Sequence, residues 1–360
     1  MPLASLVPAL LLALAAHAQE WERVLPGAQL SFPGDHGAHP DYRIEWWYVT
    51  GQVESTAGRR FGFQFTIFRR GLQPGRGGPE ESPLRARQVF AGHLAVTDIV
   101  NGRTLFAERL RRAGTPLARA GRADLDLVLE DWSMRRDDDG RPLLSAGDAT
   151  QAIGLELELV PRKPLVLHGQ DGYSSKGGEA GNASAYVSWT RLATRGRLEV
   201  GGKEIEVSGE AWFDHEYGTS VLEESVVGWD WFGLQLDDGR ELMLFLLRGE
   251  DGTPGAASAG TLIDVDGTAT SLAANDFRIE VDASWTSPRS GATYPARWTL
   301  SIPSVELQLQ VVPFVADSEL GTTSSTGVAY WEGPVGIQGT VRGRGYAELT
   351  GYAGSMQGRL

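Results

Sequence analysis

Val207-Ser-Gly-Glu-Ala-Trp-Phe-Asp214 aligns without gaps with Val341-Arg-Gly-Arg-Gly-Tyr-Ala-Glu348. The alignment pairs valine with valine, glycine with glycine, an aromatic ring with an aromatic ring and one acid with another. Glu45-Trp-Trp-Tyr48 and Trp229-Asp-Trp-Phe232, each followed by an apolar hairpin, form a second similar pair in the same order. Internal similarity of this kind indicates a duplicated structural unit. We therefore expect two similar units in tandem, with a boundary near residues 218–226.

The rest of the chain has the pattern of short β-strands. Residues 61–68, 153–160 and 298–302 are apolar or alternate, and similar segments end at Gly, Asp or Asn. No segment has the pattern of a long amphipathic helix. Many short strands without crossover helices can bury a core only as closed or stacked antiparallel sheets. The predicted fold class is therefore all-β, as a barrel or a sandwich.

Composition restricts the class of protein. The chain has 360 residues, 46 Gly, 11 Trp and no Cys, with a formal net charge of -13. This length favours two domains, since one domain usually has about 100–200 residues. The acidic balance and the lack of a basic cluster argue against nucleic acid as a partner and against docking on anionic lipid. The absence of Cys excludes disulfides, thiolate metal sites and a lipoprotein anchor.

The N-terminus is typical of an export signal. An apolar run ends at Ala16-His17-Ala18, which fits a cleavage site after Ala18, although no Lys or Arg precedes the run. We expect a signal peptide at 1–18 and a periplasmic or secreted mature protein. The run is too short to span a bilayer, so we expect no stable membrane insertion. The predicted domains are 19–220 and 221–360.

Residues 212–218, Trp-Phe-Asp-His-Glu-Tyr-Gly, combine two acids, an imidazole and three aromatic rings. On a strand, Asp214 and Glu216 would lie on one face and His215 and Tyr217 on the other. These four residues are the catalytic candidates, and we expect His215, Tyr217 and at least one of the acids to share a pocket. The alternative is a sheet strand with a hydrogen-bonded core histidine and solvated acids.

Four motifs in order resemble the AttH-like, carotenoid 1,2-hydratase-related family. They are His39-Pro-Asp-Tyr-Arg-Ile-Glu-Trp-Trp-Tyr48, Tyr173-Ser-Ser-Lys-Gly-Gly-Glu-Ala-Gly-Asn182, Asp214-His-Glu-Tyr-Gly218 and Tyr330-Trp-Glu-Gly333. The resemblance runs from about residue 39 to residue 352. It implies two tandem lipocalin-like antiparallel β-barrels, with residues 19–220 forming the AttH-like barrel. Relatives include carotenoid hydratases and fungal cyclases that promote Diels-Alder reactions.

The resemblance also implies a hydrophobic, polyene-like or terpenoid-like small-molecule ligand. Aromatic faces suit such a ligand and can stabilise a carbocation. Protonation of an alkene needs a neutral carboxylic acid, for which Asp214, Glu216, Asp230 and Glu332 are the candidates. The hydratases carry a Tyr-x-Asp pair on the next strands, whereas residues 242–247 here contain no carboxylate. This departure puts carotenoid hydration in doubt, and no Gly-x-Ser-x-Gly motif supports a hydrolase.

The remaining candidates form a ligand-binding set. It comprises Trp46, Trp47, Trp229, Asp230, Trp231, Lys176, Tyr330 and Glu332. Lys176 lies in a glycine-rich loop at 169–181 that either covers a pocket mouth or is a hairpin tip. We expect no cofactor. Asp214, His215 and Glu216, with His39 or His36, offer metal ligands, but we expect no metal because Asp214 and His215 would point to opposite faces. An acid-catalysed hydratase, isomerase or cyclase, a non-catalytic carrier, a hydrolase, and a structural protein with filled barrels remain open.

Overall fold

The computed structural model describes residues 20–75, 85–114, 116–220 and 222–358. The predicted signal peptide at 1–18 lies outside these residues. Apart from two short 3-10 helices, Gly34–His36 and Pro303–Val305, the regular elements are β-strands. No helix of the described part has the length and apolar character needed to cross a membrane. The all-β class predicted from the sequence is confirmed.

The first sheet has thirteen strands. They are β1 (Ile44–Ser55), β2 (Arg60–Gly71), β3 (Gln88–Asp98), β4 (Arg103–Arg112), β5 (Ala118–Ala120), β6 (Asp126–Leu129), β7 (Trp132–Arg136), β8 (Pro142–Asp148), β9 (Ile153–Pro161), β10 (Val166–Leu167), β11 (Tyr173–Ser175), β12 (Ala183–Val200) and β13 (Lys203–Gly218). Their order is β4-β3-β2-β1-β13-β12-β9-β8-β7-β6-β5, and β10 and β11 also pair with β12. Arg109 on β4 reaches toward the other end of the sheet by donating to the carbonyl oxygen of Gly147 at 2.9 Å.

The second sheet has ten strands. They are β14 (Val226–Leu236), β15 (Glu241–Gly249), β16 (Ala259–Ile263), β17 (Ala269–Ala273), β18 (Arg278–Thr286), β19 (Thr293–Ile302), β20 (Leu307–Pro313), β21 (Glu319–Gly321), β22 (Ala329–Gly339) and β23 (Gly343–Leu349). Their order is β17-β16-β15-β14-β23-β22-β20-β19-β18, and β21 pairs with β22. Each sheet curls into a barrel or half-barrel, as the lipocalin-like prediction requires. The domain prediction of 19–220 and 221–360 as separate folding units stays a prediction.

The pairing registers relate the two sheets. Tyr48 lies opposite Asp214 in the β1–β13 ladder, and Trp231 lies opposite Glu348 in the β14–β23 ladder. The alignment of Asp214 with Glu348 therefore agrees with the ladders. In the second pair of segments, the registers place Trp231 at the position equivalent to Tyr48. A one-residue shift changes the face on which every side chain lies.

Each barrel is filled by its own side chains. The first core contains Trp47, Phe63 and Phe213, and the second contains Phe232 and Trp298, all fully buried. A separate apolar cluster lies between the sheets, on the other face of the β1–β13 and β14–β23 ladders. The inner positions of small barrels are usually filled in this way. Open space for a ligand must therefore be sought between the barrels.

Two glutamine side chains form hydrogen bonds between the barrels. Gln52 Nε2 on β1 donates to the carbonyl oxygens of Val335 (2.9 Å) and Gly345 (2.8 Å) in the second sheet. Gln235 Nε2 on β14 of the second sheet donates to the carbonyl oxygens of Thr190 (2.8 Å) and Ala211 (3.0 Å) in the first sheet. The ladders place these glutamines at equivalent positions. We call this reciprocal pair of contacts the glutamine clasp.

Candidate functional site

Two adjoining cavities lie between the barrels, with volumes of about 120 Å³ and about 150 Å³. Both are lined by Ile44, Trp46, Phe68, Trp229 and Glu348. We call the two cavities together the cleft. The cavity surface is mostly apolar and aromatic, with a few ionisable groups, as is usual for small-molecule sites.

Strand alternation decides which residues face the cleft. On β1 and β13, Trp46, Tyr48, Asp214 and Glu216 point toward the second barrel and line the first cavity. From the second barrel, Trp229 and Trp231 of β14 and Glu348 of β23 line it from the opposite side. The cleft is therefore built from equivalent ladders of the two sheets.

Asp214 is buried in the first cavity wall and is well supplied with donors. Its Oδ1 accepts from Trp212 Nε1 at 2.6 Å and from Ser188 Oγ, and its Oδ2 accepts from the Tyr186 hydroxyl at 2.9 Å. Burial raises the pKa of Asp214 to about 7, although these hydrogen bonds oppose the shift. Because both oxygens already accept hydrogen bonds, Asp214 is better suited to act as an acceptor than as a donor.

Glu332 and Glu348 form a carboxyl pair. They lie directly opposite each other in the β22–β23 ladder, so their side chains share a face. Glu348 is half-buried, and among the described residues its one hydrogen bond comes from Trp229 Nε1 at 2.7 Å. Burial, and then the charges of Asp214 and Glu216, raise the pKa of Glu348 to about 7. Both cavities border this carboxyl group.

Glu332 is buried beside Glu348. Neither of its carboxyl oxygens has a hydrogen bond of good geometry in the described part of the chain. The hydroxyls of Tyr48 and Tyr330 lie close to it and oppose the rise of its pKa. Burial, and then the charge of Glu348, hold the pKa of Glu332 well above its usual range. The pair therefore retains a proton at neutral pH, because two adjacent buried carboxylates would repel each other.

Lys176 enters the cleft from the glycine-rich loop. Its Nζ lies 2.8 Å from Glu216 Oε1 and 3.1 Å from Ser174 Oγ. The ammonium also lies 4.3 Å from the ring centroid of Phe245 and 5.2 Å from that of Tyr186. The loop thus places the only lysine among the cavity-lining residues against a carboxylate and two aromatic faces.

His215 and Tyr217 lie on the opposite face of β13, at one end of the first barrel. His215 Nε2 lies 3.0 Å from Glu45 Oε1, and its ring stacks on Trp47 at 4.8 Å. The Tyr217 hydroxyl donates to Asp35 Oδ1 at 2.9 Å. The Arg69 Nε donates to Glu45 Oε2 at 2.6 Å. We call the residues Asp35, His39, Glu45, Arg69, His215 and Tyr217 the inner cluster.

The structure corrects three expectations about the site. His215 and Tyr217 do not share a pocket with Asp214 and Glu216, because alternate residues of a strand point to opposite faces. Trp47 packs in the first core and does not reach the cleft. Asp230 lies outside the cleft and is hydrogen-bonded by the Tyr352 hydroxyl at 3.0 Å. The catalytic roles of the four candidates on β13 stay a prediction.

The other candidates border the cleft. Trp46, Trp229, Trp231 and Lys176 line the first cavity, and Tyr330 lines the second, with Glu332 behind it. Sequence reasoning missed Tyr186, Phe245, Glu45 and Glu348 as site residues. The alignment of Glu348 with Asp214 was a usable signal, since equivalent positions on duplicated strands share a face. Glu45 had a signal too, as a carboxylate between Ile44 and the Trp46-Trp47 pair.

Comparisons with known proteins agree with this architecture. The AttH-like family matches residues 23–352. A crystal structure of a protein assigned as AttH from Nitrosomonas europaea is similar, with 36% identity, a TM-score of 0.83, and coverage of 92% of this chain and 99% of that one. A search of the curated proteins gives no match.

Two more distant structures share the fold. Kievitone hydratase from Nectria haematococca has 13% identity and a TM-score of 0.67, and the match covers 94% of this chain and 98% of that one. CghA, solved with Sch210972, has 13% identity and a TM-score of 0.52, with coverage of 87% and 89%. The family match spans both sheets and all four sequence motifs. The chain belongs to the AttH-like family.

Proposed function

We propose that the protein binds an apolar small molecule in the cleft and catalyses addition of water to a carbon–carbon double bond, with Glu348 as the proton donor. One observation carries this proposal: Glu348 borders both cavities and lies opposite the buried Glu332, whose carboxyl oxygens lack a hydrogen bond of good geometry in the described part of the chain. A carboxyl pair in this environment holds a proton at neutral pH, which is the state that alkene protonation requires.

The proton balance of the reaction can be followed on named groups. The Glu348 O–H gives its proton to one alkene carbon, and the pair of electrons of the double bond forms the new C–H bond. The resulting carbocation accepts a water molecule, which then loses a proton. Asp214 is placed to accept that proton, and its return to Glu348 through solvent restores the starting state. The sum is alkene plus water giving an alcohol.

Aromatic rings around the cleft support a cationic intermediate. Trp46, Trp229 and Trp231 line the first cavity together with Tyr186 and Phe245. A cation over a desolvated aromatic face gains about 2 kcal/mol. The same faces bury the apolar body of a ligand. The ion pair of Lys176 and Glu216 gives the first cavity a polar end that can orient a hydroxyl group.

Kievitone hydratase shows that this fold can carry a hydratase, and at 13% identity the likeness concerns the fold alone. A carrier is the second candidate, because the cleft has the apolar lining that a carrier needs. Lipocalin-like form by itself does not distinguish the two, since function resides in the site and not in the fold.

The test uses acyclic isoprenoid alkenes and alcohols as probes, in water labelled with oxygen-18. Hydration predicts products one water heavier that carry the label, detected by liquid chromatography and mass spectrometry. The rate should fall on both sides of about pH 7, since the acid form of Glu348 and the ionised form of Asp214 are both required. Glu348→Gln should lose turnover while retaining binding, and the exposed Glu204→Gln serves as the matched control.

Two results would overturn the hydratase. Full turnover by Glu348→Gln would remove the proposed acid. Tight binding of the probes without conversion at any pH would identify a carrier.

We also propose that the mature protein acts outside the cytoplasm after loss of residues 1–18. The apolar run and the Ala16-His17-Ala18 site support this. N-terminal sequencing of the protein from its native host should begin at Gln19, and an intact Met1 would contradict export by cleavage.

A further inference from the structure

The inner cluster contains two imidazoles and a carboxylate in contact. His39 Nδ1 lies 2.9 Å from Glu45 Oε1, and His215 Nε2 lies 3.0 Å from the same oxygen. One ligand atom from each of the three residues lies within 4.8 Å of the others. We propose that His39, Glu45 and His215 bind one divalent transition-metal cation of the Zn²⁺ class, at a site next to the second cavity, which Glu45 also lines.

The ring nitrogens that face away from Glu45, His39 Nε2 and His215 Nδ1, support this assignment. We call them the outward nitrogens, and the two that face Glu45 the inward nitrogens. His39 Nε2 lies 2.9 Å from Asp35 Oδ1, and His215 Nδ1 lies 3.0 Å from the carbonyl oxygen of Asp35. When each outward N–H donates to Asp35, the inward nitrogens carry the free lone pairs. Metal-binding histidines almost always donate their second N–H to a carboxylate or a backbone carbonyl in this way. Both kinds of partner come here from a single residue.

In this tautomer each inward nitrogen presents a lone pair to Glu45, whereas in the other tautomer it donates an N–H to that carboxylate. A neutral ring that donates on its outer side presents only a lone pair to the ionised carboxylate 3.0 Å away. A cation placed among the three ligand atoms converts this repulsion into coordination. Both ring nitrogens and a carboxylate oxygen are ligands that Zn²⁺ accepts.

The three ligand atoms would have to move apart slightly to hold a cation. Zn–N and Zn–O bonds of about 2.0–2.2 Å in tetrahedral geometry separate ligand atoms by about 3.3 Å. The observed separations of 2.9 Å and 3.0 Å are a few tenths shorter. The side chain of His39 is 17% exposed, whereas Glu45 and His215 are fully buried, so His39 is the side from which a cation enters. Three protein ligands leave a fourth position for water.

Neighbouring groups hold the three ligands in place. The His39 ring stacks on Tyr217 at 3.6 Å with planes 10° apart, and His215 stacks on Trp47. Arg69 Nε holds the second oxygen of Glu45. The positive charge of Arg69 opposes a cation, but Glu45 and Asp35 supply two negative charges against it.

This inference differs from the sequence expectation of no metal. That expectation weighed Asp214, His215 and Glu216 on β13 with His39 or His36 as a further ligand, and it did not include Glu45. The structure instead brings Glu45 from the adjacent strand β1, where it pairs with Tyr217, and His39 from the segment before it. Residues on one face of two neighbouring strands can share an ion, which consecutive residues on one strand cannot do without a bulge.

The experiment uses the full mature chain, purified without a metal-affinity tag and treated with a chelator. Equilibrium dialysis against Zn²⁺, Co²⁺ and Mg²⁺ should give one bound Zn²⁺ or Co²⁺ per chain and little Mg²⁺. Bound Co²⁺ should show the visible absorption of a four-coordinate site. Binding should raise the thermal midpoint of unfolding.

Three variants distinguish a metal ligand, a residue that supports the ligands and a histidine outside the site. His39→Gln should abolish stoichiometric binding, and Asp35→Asn should weaken it roughly 10–100-fold, as losses of such supporting contacts do. His93→Gln, a buried histidine outside the inner cluster, should bind metal as the unchanged protein does. Lack of stoichiometric Zn²⁺ or Co²⁺ binding by the unchanged chain would overturn the proposal. Unchanged affinity in both His39→Gln and Asp35→Asn would do the same, and metal content is read independently of turnover in the cleft.

Discussion

The Glu348→Gln variant should change how stability depends on pH. The pKa of Glu348 is about 7 in the folded protein against 4.5 for an ordinary glutamate. Below pH 4.5 the group is protonated in both states. Between 4.5 and about 7 the unfolded chain loses its proton first, so the free energy of unfolding falls by about 1.4 kcal/mol per pH unit. Above about 7 both states are ionised and the loss is complete.

The pKa difference of 2.5 units corresponds to about 3 kcal/mol of stability lost between pH 4.5 and pH 7. Glutamine cannot ionise, so Glu348→Gln should lack this loss. Asp214 and Glu332 stay in place, and the difference between the two proteins therefore isolates the contribution of Glu348. Removing the negative charge of Glu348 also makes ionisation of Asp214 and Glu332 easier in the folded protein. Their own contribution to the loss of stability with rising pH therefore becomes smaller, which adds to the expected difference.

Urea unfolding at pH 4.5, 5.5, 6.5 and 7.5 measures the effect. The difference in unfolding free energy between pH 4.5 and pH 7.5 should be about 3 kcal/mol smaller in Glu348→Gln than in the unchanged protein. The exposed Glu204→Gln should follow the unchanged protein. Identical pH profiles for the unchanged protein and Glu348→Gln would show that Glu348 is ionised in the fold, and the reasoning about the carboxyl pair would fail.

Further substitutions test the contact between the barrels and the ion pair of Lys176 with Glu216. Gly62→Ala should lower the free energy of unfolding by about 1–3 kcal/mol in urea titrations, because an added methyl group would lie 2.7 Å from a proline carbon of the second barrel. Gln52→Ala and Gln235→Ala should each lower the free energy of unfolding by about 1–3 kcal/mol, because each removes the side-chain donor of two carbonyl oxygens. Equal stability of the variants and the unchanged protein would exclude a structural role for the glutamine clasp. Lys176→Met should destabilise by roughly 3 kcal/mol because Glu216 loses its buried partner, and adding Glu216→Gln should recover part of that loss in the same assay.

The sequence was sufficient for the fold because its signals are local. Alternation and turn residues identify strands, and the match of residues 207–214 with residues 341–348 identifies the duplication. The alternation also placed Asp214 and Glu216 opposite His215 and Tyr217. The aromatic segments at 45–48 and 229–232 are short and align almost equally well in two registers, so only the cross-strand pairing shows that Tyr48 is equivalent to Trp231.

The site was less accessible to sequence reasoning because it depends on contacts between distant strands. Residues of β13 and β23 approach each other only once both barrels have formed, and nothing in either segment states which residues will meet. Grouping His215 with Asp214 treated sequence proximity as spatial proximity, which fails on a strand. Tyr186 and Phe245 sit in segments with ordinary strand patterns, so no local feature marks them as partners of Lys176.

The glutamine clasp has a consequence for how such a protein could arise. Two identical barrels joined through this surface would form a symmetric homodimer, in which a two-fold axis repeats every residue of the interface. Any acid near the axis would then occur twice, and any cation would face its own copy. Covalent linkage of the halves removes that restriction. Glu216 has Thr350 at its equivalent position, so Lys176 meets one carboxylate on one side of the cleft. A single chain can thus build an asymmetric environment for an asymmetric molecule from a scaffold that remains nearly symmetric.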